Sequence, residues 1–254
     1  MKKYIPFILT DLREIRRVIW LFEMIFWPLL SLVSFGIFTH FIDANIAVKS
    51  LLFTGIMGWS CINLGQTAIS KALMHEVWEK ITKNTFSAPI KFRDFIIGHW
   101  MFGIIEIVVA FMLMSLAALF FFDFNIFSIG IYIPLTLGLM AVSGLVIGTI
   151  AMSFILFFGL KVDFIVWSIV DMIVFISGVY YSVTVFPPVI QTISHIFPVI
   201  YVFEGMRQAV VGSPALLTYL KGYIIAAIWI FLTLFIFKKI ETYARKKGFY
   251  ERYG

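Results

Sequence analysis

Charge is the scarcest property of this chain. Asp, Glu, Lys and Arg make up 13% of its 254 residues, about half the share found in soluble domains. No polar stretch is long enough to build a separate soluble domain. Cysteine is nearly absent too: Cys61 stands alone in an apolar run, which excludes an internal disulfide and any cysteine-rich metal or iron–sulfur site. It reads as a small buried hydrophobe. No GxxxxGK[ST] string occurs, so the chain has no phosphate-binding loop with which to hydrolyse ATP. No HExxH or paired metal-ligand spacing occurs, and His40, His75, His99 and His195 stand apart. The string nearest to an intramembrane serine-protease turn, Ala141–Gly144 (AVSG), lacks its first glycine, and no histidine lies in the last three apolar runs. We expect no catalytic, cofactor-binding or metal-binding residue, and no enzyme.

What is abundant is apolar length. Hydrophobic residues form 61% of the chain, and six runs can cross roughly 30 Å of hydrocarbon at 1.5 Å per residue. They lie near 20–42, 51–70, 95–122, 130–158, 163–182 and 219–237. The expected fold is a single all-α transmembrane domain covering 1–254. MKKYIPFILT does not read as a cleavable signal, because DLREIRR interrupts it with five charges. Ile5, Ile8, Leu12, Ile15 and Ile19 recur at helical spacing, with Lys2, Lys3, Arg13, Arg16 and Arg17 on the remaining surface. This suits an interfacial helix over 1–19.

Lysine and arginine set the orientation. Seventeen lie in the N-terminal segment, the loop after run two, the turn after run four and the tail 238–254; three, Lys49, Arg207 and Lys221, lie on the other side. The positive-inside rule therefore places both termini in the cytoplasm. It also explains the net charge of +6 by anionic membrane lipids rather than by nucleic acid. Gly144 and Gly148, in GLVIG, have the spacing that lets helix backbones approach, and Gly55, Gly58, Gly98 and Gly103 can serve similarly.

Three carboxylates fall within the runs. Glu106 lies near the middle of run three and Asp171 a third of the way into run five; each either lines an ion or substrate pathway or locks helices together. Glu23 is near enough to the start of run one to reach the interface. No lysine or arginine is expected within the runs to pair with them.

Two segments are irregular. In Lys71–Trp100, Met74, Val77, Trp78 and Ile81 share one helical face, and His75, Glu76, Glu79, Lys80 and Lys83 cover the others. A short amphipathic helix over 71–84 can lie on lipid or dock in a partner's groove. In Val185–Arg207, VFPPVIQTISHIFPVIYVFEGMR, Pro187, Pro188 and Pro198 break an apolar stretch that also holds His195, Glu204 and Arg207. We expect Pro187-Pro188 to open one short helix and a second to run through Tyr201–Val211. Glu204 and Arg207, one turn apart, are expected to pair, and His195 to sit at the outer headgroups.

With HEVWEK, SAPI and RDFIIG around the loop, and SGVYYSVTVFPPVIQTISHIFPVIYVFEGMRQAVVG (Ser177–Gly212) before the last run, the chain resembles permeases of the ABC type-2 exporter class, the membrane subunits of multidrug- and polysaccharide-export-like transporters. The resemblance spans the whole chain. It implies a half-transporter of the bacterial inner membrane: two permease chains, either identical or close paralogues, and two separate ATP-binding subunits that carry ATP and Mg. It further implies that 71–84 is the coupling helix, with Glu76, Trp78, Glu79 and Lys80 as docking residues, and that 183–212 is an external re-entrant hairpin. Few charges in the spans favour an amphipathic or lipid-like cargo. A proton-coupled secondary transporter and a membrane assembly factor are the alternatives; no inverted repeat relates 1–125 to 126–254.

Overall fold

The computed structural model describes residues 7, 11, 18–78, 92–159 and 163–246. Among them every regular element is helical. α1 is Val18–Phe41, α2 Ile46–Trp78, α3 Phe92–Phe122, α4 Tyr132–Phe158 and α5 Asp163–Ile176. Two short helices follow, α6 (Pro188–Ser194) and α7 (Val199–Val210), and the long α8 (Leu216–Lys246) closes the described chain. α1, α2, α3, α4 and α8 are each long and apolar enough to cross a membrane.

The ends follow local chemistry. The Asn45 side chain accepts a hydrogen bond from the Val48 amide at 3.0 Å and so caps the start of α2. Asn125 does the same for the 3-10 turn Ile126–Ile129, accepting from Phe127 at 3.0 Å. The fifth helix has 14 residues, about 21 Å, and stops six residues before the end of the expected run. Gly178, at φ +67°, turns the chain there. The second expected span, by contrast, is longer than its apolar run: α2 has 33 residues, about 50 Å. Lys71–Trp78 are its last two turns, with no break between span and expected coupling segment; residues 79–84 lie outside the described residues. So does most of the expected interfacial helix, and the tail beyond 246.

Helix α2 is the axle of the bundle, packing on α1, α3, α4 and α7. In a membrane, close backbone contact replaces the hydrophobic drive that joins helices in water. The GLVIG seam of α4 provides that contact. A Cβ on Gly144 would sit 3.0 Å from the Gly65 carbonyl carbon, and one on Gly148 2.9 Å from the Gln66 oxygen. Gly103 of α3 approaches Ala68 and Gly65 in the same way. The other expected packing glycines receive different neighbours: Gly98 takes the Phe7 side chain, Gly58 the Phe203 ring of α7, and Gly55 the Val179 carbonyl.

Two apolar clusters stack along α2. One gathers Phe53, Met57 and Ile62 with Phe111, Met140 and Phe203 around the Ile46 end. The other gathers Ile69, Leu73 and Val77 with Phe92, Phe95, Met152 and Phe237 around the Trp78 end. Phe7 joins the second cluster, edge-on to Phe95 with ring centres 5.4 Å apart. Asp11 binds His99 Nδ1 of α3 at 2.8 Å.

Candidate functional site

Three regions hold the residues singled out from the sequence. The first is the Trp78 end of α2. Met74 and Val77 are buried in the second cluster, Glu76 is half-buried, and Trp78, the last described residue of α2, is 58% exposed. Glu79 and Lys80 lie outside the described residues.

The second is a cavity of about 230 Å³ between α1, α2 and α3. Glu106, buried on α3, lines it. So do Ser60, Asn63, Thr67 and Lys71 on α2, and Trp27, Pro28 and Ser31 on α1. The expectation of no lysine within the runs is therefore corrected: Lys221 lies in run six, and Lys71, one residue past run two, lines the same cavity as Glu106. Because α2 runs eight residues beyond residue 70, Lys71 belongs to the helix and faces the same cavity. The signal was present: Ser60, Asn63, Thr67 and Lys71 recur at spacings of three and four, a polar stripe on an apolar helix. Asp171 is elsewhere. It stands exposed on α5 beside exposed Met172 and Phe175, away from the Glu106 cavity.

The third is the bent pair α6–α7, whose axes meet at 96°. Pro187 caps α6 and Pro188 occupies its first turn, where a missing N–H costs nothing. Pro198 does the same for α7, which therefore begins at Val199, two residues before its expected start. Gly212, at φ +73°, ends the turn after α7.

The expected Glu204–Arg207 pair is not what holds this region. Arg207 points back toward the bundle. Its Nη2 donates to the Val179 carbonyl at 2.6 Å and the Leu51 carbonyl at 3.4 Å, and its Nη1 to the Tyr181 carbonyl at 3.3 Å. Burial lowers its pKa to about 10, with Glu204 opposing the shift, so it stays charged at neutral pH. The Val179 and Tyr181 carbonyls lie in the turn beyond α5, outside any helical ladder, and the planar guanidinium reaches them and the Leu51 carbonyl of α2 at once.

Glu204 instead faces His195 Nε2 at 3.5 Å. His195 Nδ1 lies 2.7 Å from the Gln191 carbonyl and so carries a hydrogen toward it. Burial raises the Glu204 pKa, while His195, Arg207 and Lys221 draw it down. Helix α8 fastens the outside of the pair: Trp229 Nε1 donates to the Ile196 carbonyl at 2.7 Å, and its ring stacks on Phe197 at 5.2 Å. Tyr219 lies over Gly205 and meets Thr136 Oγ1 at 2.6 Å.

No protein-family model matches the chain. Curated relatives do. The proteins described as inner membrane transport permease YadH in Escherichia coli (strain K12) and in Shigella flexneri are each 24% identical over 212 residues, covering 79% of this chain and 80% of the relative. The family resemblance drawn from the sequence motifs is borne out by these relatives: over 79% of its length the chain is similar to an inner membrane transport permease.

Proposed function

We propose that this chain is the permease subunit of an ATP-driven exporter, working as a dimer with two separate ATP-binding subunits. The observation that carries the reading is the continuity of α2. One 33-residue helix joins an exposed tryptophan at one end to the Arg207 anchorage, through the Leu51 carbonyl, near the other. On this reading Trp78 and Glu76 meet the ATPase on the cytoplasmic side, with Glu79 and Lys80 completing the contact. The α6–α7 pair is the external re-entrant gate. A push on the tip is then delivered along a rigid element to the turn 177–181 and to Phe203 on α7. A bundle with no energy source of its own takes coupling free energy from a partner whose two states contact it differently.

Dimerisation is supported by Asp171. Eight residues into α5, it lies about 12 Å along the helix axis, beside the exposed Met172 and Phe175. A carboxylate facing hydrocarbon at that depth is costly; a second copy, or a close paralogue, covers it and places it along a shared pathway. Amphipathic or lipid-like cargo fits a route lined by few charges. Affinity purification from native membranes tests the subunit reading: an ATP-binding chain should co-purify, and Trp78→Ala should release it.

A further inference from the structure

Hydroxyls on the helices of this bundle generally return a hydrogen bond to a carbonyl one turn back. Thr54, Thr67, Ser115 and Thr149 do so at 2.6 to 2.8 Å, which satisfies them within their own helix. Ser31 of α1 and Ser60 of α2 do not, and both line the cavity between α1, α2 and α3. Asn63 and the Trp27 and Trp59 indoles line it with them. Asn63 Oδ1 accepts from Gln66 Nε2 at 3.0 Å, which leaves the Asn63 N–H groups. Among the described residues, those N–H groups, the two hydroxyls and the two indole N–H groups have no hydrogen-bond partner. Pro28 adds an acceptor, because it has no N–H to give the carbonyl of Met24, a lining residue one turn back. Glu106 and Lys71 also line the cavity, but each already interacts within the chain. The open hydrogen-bonding capacity of the cavity is therefore neutral.

Neutral groups spread over two helices select a neutral ligand with several hydroxyls. Ser60, Asn63 and Thr67 rise in steps of about 5 Å along α2, and Trp27 and Ser31 lie one turn apart on α1. A lone alcohol reaches one of these groups. A headgroup with several hydroxyls reaches both walls, its apolar faces against the indoles. A charged headgroup would leave water for a setting in which the charges present are already engaged, and that is costly. Outside, Trp27 is 56% exposed, Phe26 packs edge-on against it, and Phe22 stacks on Phe26 at 4.1 Å. This row suits a hydrocarbon tail.

We propose that the cavity binds the uncharged polyhydroxyl headgroup of an amphiphile, a glyceryl or glycosyl group, with its tail along Phe26 and Phe22. The proposal does not depend on the permease reading, since it concerns the chain alone.

Native mass spectrometry of the purified chain tests it, with a polyoxyethylene detergent so that no sugar-headed detergent competes. The probes share one dodecyl tail and differ in the head: glucosyl, glyceryl, methyl ether or phosphate. The glucosyl or the glyceryl probe should bind about tenfold more tightly than the methyl ether and the phosphate, and the tighter of the two identifies the source of the headgroup. Ser31→Ala combined with Ser60→Ala, small changes that keep the cavity open, should weaken that probe about tenfold and leave the methyl ether unchanged. Thr67→Trp, which fills the slot, should abolish the preference. Methyl ether or phosphate binding as tight as that of the hydroxylated probes would overturn the proposal, as would an unchanged preference in either variant. Failure of the permease reading shows separately, as the lack of an ATP-binding partner.

Discussion

Arg207 shows how one side chain joins distant segments. It bonds backbone oxygens of Leu51, Val179 and Tyr181, so removing it takes the guanidinium donors from the Val179 and Tyr181 carbonyls and unties them from α2. Arg207→Gln should cost about 2–4 kcal/mol, read as a lowered thermal midpoint in detergent. Arg207→Lys should recover only part, since an ammonium lacks the planar fork. Glu204 gives a pH dependence. Its folded pKa is raised above the ordinary carboxylate value, so the folded chain holds more protons than the unfolded one in the window between the two values. Its contribution to stability therefore falls as pH rises through that window, and Glu204→Gln should flatten that part of the stability–pH profile. The sequence announced Arg207, Glu204 and His195 as unusual for an apolar stretch. It could not announce their partners. Backbone carbonyls carry no residue signature, and the i, i+3 spacing of Glu204 and Arg207 suggested a pairing that the carbonyls of the 177–181 turn outcompete.

Helices were legible where apolar length and punctuation agree. Spans one, three and four lie within three residues of their expected bounds because long apolar runs end there at turn residues such as Asp43 and Gly159. α2 was misjudged at both ends, since helix continues through Ile46–Ser50 before the run and through polar Lys71–Glu76 after it. That error hid Lys71 from the Glu106 cavity. α5 was overestimated because apolarity continues past Gly178 while the helix does not. Packing at this scale is set by α2 and α4. Gly144→Leu forces a side chain against the Gly65 backbone 3.0 Å away and should destabilise the chain by about 1–3 kcal/mol. Gly212→Leu meets no atom within 4 Å; its smaller cost would come from positive φ alone. Comparing the two unfolding curves separates packing from backbone strain. Orientation is read by labelling in a Cys61→Ala background: His195→Cys and Glu204→Cys should react with an impermeant thiol reagent added outside, and reaction only from the cytoplasmic side would invert the topology.

At the scale of the whole molecule, the proposed function makes the bundle a transmission between two ends. α2 connects them, α4 and α3 clamp it through glycine seams, and α8 holds the α6–α7 pair. In the proposed dimer, the second chain covers Asp171 and the exposed Met172 and Phe175 of α5. The most direct measurement is purification of the chain from its native membranes, followed by assay of the purified complex for ATP hydrolysis and ATP-dependent transport in vesicles. The account predicts that an ATP-binding chain is recovered in equal number with the permease, that transport needs ATP, and that Trp78→Ala lowers both recovery and transport. A chain that is stable and transports its cargo with no nucleotide-binding partner and no need for ATP would contradict it.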